Sequence, residues 1–137
     1  MKILVDTNVI LDHLLERDPF AKEAWEVLET CRLGKCDGYV AWHSLSNIHY
    51  IASLSQNHNK LRPLLTELTQ YLTVATVGHV DFRAALSFPM GDFEDAMQAA
   101  AAKACDADYI VTRNTKDFRY SPVTPMEPAE WLDLLTS

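Results

Sequence analysis

"ILVDTN" (residues 3–8) sets three branched or long apolar residues directly before Asp6, Thr7 and Asn8. Residues 2–5 lack the polar alternation of a half-exposed strand, which is the pattern of a strand buried on both faces of a parallel sheet. A carboxylate at the end of such a strand has two explanations. It can cap the next helix by accepting hydrogen bonds from free backbone amides, a task Asn8 could do equally well. It can also be there for chemistry.

Working outward, segments of helical and strand character alternate. Residues 9–16 carry Val9, Ile10 and Leu14 at helical spacing, and the Asp18-Pro19 step ends that helix. Residues 21–33 give a second amphipathic helix, with Trp25, Leu28 and Cys31 or Arg32 along one side and Gly34 as its stop. A short strand over 39–42 precedes a helix that Ser44 can cap and that runs towards Leu54. Residues 59–71 read as a helix with Pro63 in its first turn, 72–77 as a β-branched strand, and 79–88 and 92–104 as two further helices. "DYIVT" (108–112) is another buried strand, and 128–135 is a closing helix with Trp131, Leu132 and Leu135. Strands separated by helices of this length need crossover connections. The expected fold class is therefore α/β, a three-layer sandwich with a central parallel sheet and helices on both faces, in a single domain over 1–137. In such sheets ligands sit beyond the carboxyl ends of the strands, and Asp6 lies there.

The bulk composition narrows the function. A chain of 137 residues, 48% hydrophobic, can bury one sizeable core. Its apolar runs are interrupted well before the roughly 18 residues of a membrane span, and Met-Lys leading into a strand is not a signal peptide. The expectation is a soluble, cytoplasmic protein with no membrane contact. Cys31, Cys36 and Cys105 are odd in number and form no Cys-x-x-Cys pair, so neither a disulfide framework nor structural zinc is suggested. A net charge of −7 argues against a broad basic footprint for nucleic acid. Any nucleic-acid role must come from local charge or from a bound cation.

Two more acidic segments bear on Asp6. In "GDFEDAMQAAAA" (91–102), Asp92 and Asp95 are three apart and lie about 60° from each other around a helix. Capping explains this pair as well as function does, because acidic residues favour first turns. The alanines that follow, however, let the helix pack closely on a sheet and carry its acidic first turn to the sheet's edge. "TRNTKDF" (112–118) brings Thr112, Asn114 and Asp117 to the end of the "DYIVT" strand, where they are also ordinary turn formers. If that strand neighbours the first, three segments deliver oxygen ligands to one place. Clustered carboxylates raise one another's pKa unless a cation neutralises them. Mg²⁺ or Mn²⁺ suits such a set: it prefers oxygen, keeps several waters, and can activate a water and stabilise charge on a phosphodiester.

These stretches, with "ILVDTNVILDHL" at the start and "TPMEPAEWLDLL" at the end, resemble the PIN domain nucleases, which include the toxins of many bacterial toxin–antitoxin pairs. The resemblance spans nearly the whole chain in order. It implies a PIN-like sandwich and a Mg²⁺- or Mn²⁺-dependent endoribonuclease acting on RNA, often a homodimer and often held inactive by an antitoxin protein. By position, Asp6 matches the family's first acidic residue, and Asp95 the one opening the alanine-rich helix. Asn114 and Asp117 fall at its variable fourth site, and Asp92 is a further possible ligand one turn before Asp95. The expected catalytic set is Asp6, Asp92, Asp95 and Asp117, and the metal set Asp6, Asp92, Asp95 and Asn114. One departure stands out. Where the family has a glutamate after its second strand, "AWHSLSNIHY" (41–50) offers Asn47, which has a carbonyl oxygen but no charge. That favours the alternative of a catalytically weak PIN-fold module binding RNA or protein. Phosphatases of the haloacid dehalogenase type also begin with an aspartate after a strand, but need a second aspartate where this chain has Asn8.

Substrate contacts are expected from Asn8, Asn47, Thr112, Arg113 and Lys116, and Arg113, Lys116 and Arg119 form a small basic cluster. Lys60 and Arg62 form another. Trp42 can stack on a base or, as the better use of a strand tryptophan, fill the core. His43 and His49 are more ordinary as structural residues than as proton shuttles. Leu11, Leu14 and Leu15 near Phe20 serve a partner groove or the core equally well.

Overall fold

The computed structural model describes residues 1–55 and 57–137. In chain order the elements are β1 (Lys2–Val5), α1 (Thr7–Leu14), α2 (Ala21–Arg32), β2 (Asp37–Val40), α3 (Trp42–Ser53), α4 (His58–Leu68), β3 (Leu72–Val74), α5 (His79–Ser87), α6 (Phe93–Ala104), β4 (Tyr109–Val111), a 3-10 turn (Thr115–Phe118), β5 (Thr124–Met126) and α7 (Pro128–Thr136). The strands form one sheet in the order β3-β2-β1-β4-β5, and every pairing is parallel. The expected α/β sandwich is what the chain adopts.

Strand periodicity explains the three layers. Ile3 and Val5 point to one face and join Val9, Ile10, Leu28, Val40, Ile48, Val111 and Trp131 in one apolar cluster. Leu4 points to the other and joins Ala99, Ala101, Ala102, Ile110 and Phe118. Alternate residues of one strand thus feed opposite cores, each covered by helices. On the second face the alanines of α6 let its backbone approach the sheet: Ala96, Ala99, Ala100, Ala101 and Ala102 are all buried. Gly38 in β2 answers a similar demand, since a Cβ there would stand 2.6 Å from both Cys31 Sγ and Leu72 Cδ2.

Several expectations need correction. β2 runs from Asp37 to Val40, and Trp42 opens α3 with 71% of its surface exposed, so it fills no core. Ala41, not Ser44, is the cap residue of α3, and Ser44 is buried inside the first turn. Trp25 is exposed, because the inward stripe of α2 is centred on Ala24, Val27, Leu28 and Cys31. Pro63 falls inside α4 beyond its first turn, and Asn57 provides the cap. β5 was not anticipated: three residues containing Pro125 resemble a loop, but Pro is tolerated on an edge strand, where β5 pairs only with β4. Leu11 is buried and Leu14 and Leu15 pack on the core, so these residues are interior. No helix among the described residues is long and apolar enough to cross a membrane.

Candidate active site

β1 lies between β2 and β4, so connections leave it to both sides, the arrangement that in open α/β sheets places ligands beyond the carboxyl ends of the strands. Val5 is in register with Val111, and the Asp6 amide donates to the Val111 carbonyl at 3.0 Å. This pairing puts Asp6 beside Thr112 as the two strands end. Thr112 Oγ1 donates to Asp6 Oδ2 at 2.8 Å, and the Thr7 amide donates to Asp6 Oδ1 at 2.7 Å. Asp6 therefore does cap α1, and it is also fixed by a buried hydroxyl across the sheet. Asn8 has no part in that cap: it lies inside α1, and its Oδ1 accepts a long 3.5 Å hydrogen bond from the Arg113 amide. Burial raises the pKa of Asp6, the two hydrogen bonds lower it, Glu94 raises it and Arg113 lowers it.

The first turn of α6 supplies the second group. Asp92 caps it, its Oδ1 accepting from the Asp95 amide at 3.1 Å. Asp95 is half-buried and its carboxyl is pushed up to about 7, first by burial and then by Asp92, Asp6, Asp117 and Glu94. The charges of Asp92, Asp6, Asp117 and Glu94 all reach Asp95 and raise its pKa. Asp117 and Asn114 are exposed around the 3-10 turn, where the Asn114 amide donates to Thr112 Oγ1 at 3.1 Å. Under the carboxylates, the buried Gln98 amide donates to Thr7 Oγ1 at 3.0 Å and to Ser44 Oγ. Its Oε1 has no hydrogen-bond partner among the described residues.

Other expected contacts go elsewhere. Arg113 does not face the carboxylates as a free phosphate anchor: its guanidinium holds the buried Asp12 at 2.5 and 3.1 Å and stacks 4.1 Å over Phe20. Thr112, expected to touch substrate, is fully buried and positions Asp6 instead. Lys116 is exposed and lines a surface cavity of about 360 Å³ with Asp92, Asp117, Arg119 and Tyr120. Lys60 and Arg62 are exposed on α4 and take no part in these contacts. His43 is half-buried at the start of α3, its pKa lowered by burial and partly restored by Glu94, and His49 is half-buried further along.

Two charged side chains with contacts across the fold escaped the sequence. Asp12, 1% exposed, was hidden among the apolar residues of α1. Glu94 was hidden in an acidic first turn, yet its Oε1 accepts a 2.8 Å hydrogen bond from Asn47 Nδ2 on α3. The departure at Asn47 and the nearby "FED" tripeptide were the only signals available.

A family model described as PIN domain matches residues 2–116. The chain is a PIN domain. Among solved structures, this PIN domain is similar to VapBC2 from Rickettsia felis bound to a promoter DNA fragment, with TM-score 0.70, 17% identity, and 93% and 98% of the two chains covered. It is also similar to VapBC-1 from nontypeable Haemophilus influenzae (TM-score 0.70, 17% identity, 94% and 99% covered). A toxin-antitoxin complex from Klebsiella pneumoniae gives TM-score 0.70 at 20% identity, with 92% and 97% covered. At such identities the likeness shows the fold alone. No curated protein matches the sequence.

The residues fit a hard divalent cation. The donors are all oxygens, and with burial they push the Asp95 carboxyl to about 7, a repulsion that a cation relieves. Among the described residues no three His, Cys, Asp or Glu side chains form a ready-made cage. Mg²⁺ does not demand one, since it keeps waters and takes substrate phosphate oxygens.

Proposed function

We propose that this PIN domain is a Mg²⁺- or Mn²⁺-dependent endoribonuclease, the toxin of a toxin–antitoxin pair. The observation that carries the proposal is the electrostatic convergence of Asp6 and Asp95 where β1 and β4 end. Asp6 and Asp95 are the principal ligands, and Asp92, Asn114 and Asp117 support them. When bound there, the cation lowers the pKa of a water and offsets charge on the phosphodiester. Thr112 and the Thr7 amide hold the Asp6 carboxylate in one orientation, so it is preorganised. Lys116 and Arg119, beside Asp92 and Asp117 in their shared cavity, receive the RNA backbone.

An antitoxin protein as partner is supported by the solved neighbours, whose names are those of toxin-antitoxin assemblies. A homodimer fits the exposed Trp42, Tyr50, Val80 and Leu86 of α3 and α5, more apolar surface than isolated residues require. The test is Mn²⁺-stimulated cleavage of RNA. Asp6→Asn and Asp95→Asn should each abolish it, and unchanged cleavage by both removes the proposal. The neutral Asn47 favours a second reading, a PIN-fold module that binds RNA or protein without cleaving. Such a module need not bind Mn²⁺, so calorimetric titration separates the two.

A further inference from the structure

After α2 the chain turns back sharply. Gly34, at φ +74°, takes the left-handed conformation that ends a helix, and the Gly34 and Lys35 amides donate to the Cys31 and Thr30 carbonyls at 3.0 and 3.1 Å. That turn returns Cys36, at the entry to β2, to the side of Cys31, and the two Sγ atoms lie 3.5 Å apart. Both are free thiols, buried in the apolar cluster, while residues 32–35 are all exposed, so one surface turn separates the pair from solvent. Gly38 leaves room for the inner sulfur, since any Cβ there would stand 2.6 Å from Cys31 Sγ. A single buried cysteine is ordinary core filling. Two in sulfur contact form a dithiol ready to close, because a disulfide bond is about 2.0 Å long and each sulfur has less than about 1 Å to move. Cys36 precedes β2 and Asp6 follows the parallel β1, so the pair lies at the opposite end of the sheet from the candidate active site.

We propose that Cys31 and Cys36 form a reversible disulfide when the chain meets a small-molecule disulfide such as that of glutathione, and that the closed bond staples the end of α2 to the start of β2. The Cys31 thiol donates its hydrogen bond to Cys36. This lowers the pKa of Cys36 and, with burial, raises that of Cys31, so Cys36 is the attacking thiol. Its thiolate displaces one thiolate from the small disulfide and leaves a mixed disulfide on Cys36. Cys31, after losing its proton, attacks the Cys36 sulfur and displaces the second thiolate. Two protein thiols are thereby oxidised to one disulfide, and the small disulfide is reduced to two thiols that take up the two protons.

The test is incubation of the folded full chain with excess glutathione disulfide, then blocking of free thiols in denaturant and tryptic peptide mapping. Cleavage after Arg32 and Lys35 separates the two cysteines, so only a bond between them keeps their peptides together. The expected product is a link between residues 31 and 36 that excludes Cys105 and is reversed by dithiothreitol, with an unfolding temperature about 5 °C above that of the reduced chain. Cys31→Ser should stop at the mixed disulfide on Cys36, and Cys36→Ser should take up no glutathione at Cys31. Both thiols still free in the native chain, or a link that forms only in urea, overturns the proposal. A linked chain that unfolds no higher than the reduced one overturns the staple. Glutathione on Cys31 of Cys36→Ser, as readily as on Cys36 of Cys31→Ser, overturns the order of attack.

Discussion

The Asp95 carboxyl, pushed up to about 7, makes cation binding a competition with a proton. Burial is the main cause, followed by Asp92, Asp6, Asp117 and Glu94, so the shift belongs to the site and not to one contact. With one proton displaced from a group of that pKa, apparent Mn²⁺ affinity at pH 6 is about tenfold below that at pH 8, or about 1.4 kcal/mol. Asp6, also raised, steepens the dependence in the same direction. Titration at the two pH values, in buffers of different ionisation enthalpy, measures both the affinity and the protons released. Equal affinity at pH 6 and pH 8 with no proton release would refute the reasoning. The same shift predicts the behaviour of the metal-free protein. The folded pKa stands above the ordinary 3.8, so the stability it contributes is complete below about 4 and is lost as pH rises through about 7. Asp95→Asn should therefore unfold at a higher temperature than the original chain at pH 8 without metal, and at a similar one at pH 4.

Two structural predictions accompany it. Asp12→Ala leaves the Arg113 guanidinium without its two hydrogen bonds beside Phe20 and should cost about 1–3 kcal/mol in urea unfolding; no loss would show that Arg113 finds water at little cost. Gly38→Ala places a Cβ against Cys31 Sγ and Leu72 Cδ2 and should cost about 1–3 kcal/mol in the same assay, with wild-type stability refuting the close approach of α2 and β3.

The sequence carried the architecture because its strongest signals are local. Ile3, Leu4 and Val5 read as a strand buried on both faces, and the alanines of 96–102 as a helix packed closely on a sheet, and all of them are buried in those roles. Asp6 and Asp95 were legible for the same reason, since each sits at an element boundary that periodicity defines. Asp92 and Asp6 both cap helices, and a capping carboxylate keeps a lone pair for the proposed cation, so the two explanations are compatible. Contacts made across the fold were not legible. Arg113 meets Asp12 from 101 positions away, and a single charge in an apolar helix looks like its solvent face until the partner is seen. Thr112 looked like a turn residue until register put it against Asp6. Glu94 is indistinguishable from an ordinary first-turn acid without α3 beside it. β5 was missed because its three residues include a proline, and only an edge position makes that acceptable.

The central claim is that a divalent ion sits where β1 and β4 end. Crystals soaked in Mn²⁺ and measured for anomalous scattering test it directly. The account predicts a peak in contact with carboxylate oxygens of both Asp6 and Asp95. A peak confined to other residues, or none at a Mn²⁺ concentration that saturates calorimetry, would contradict it.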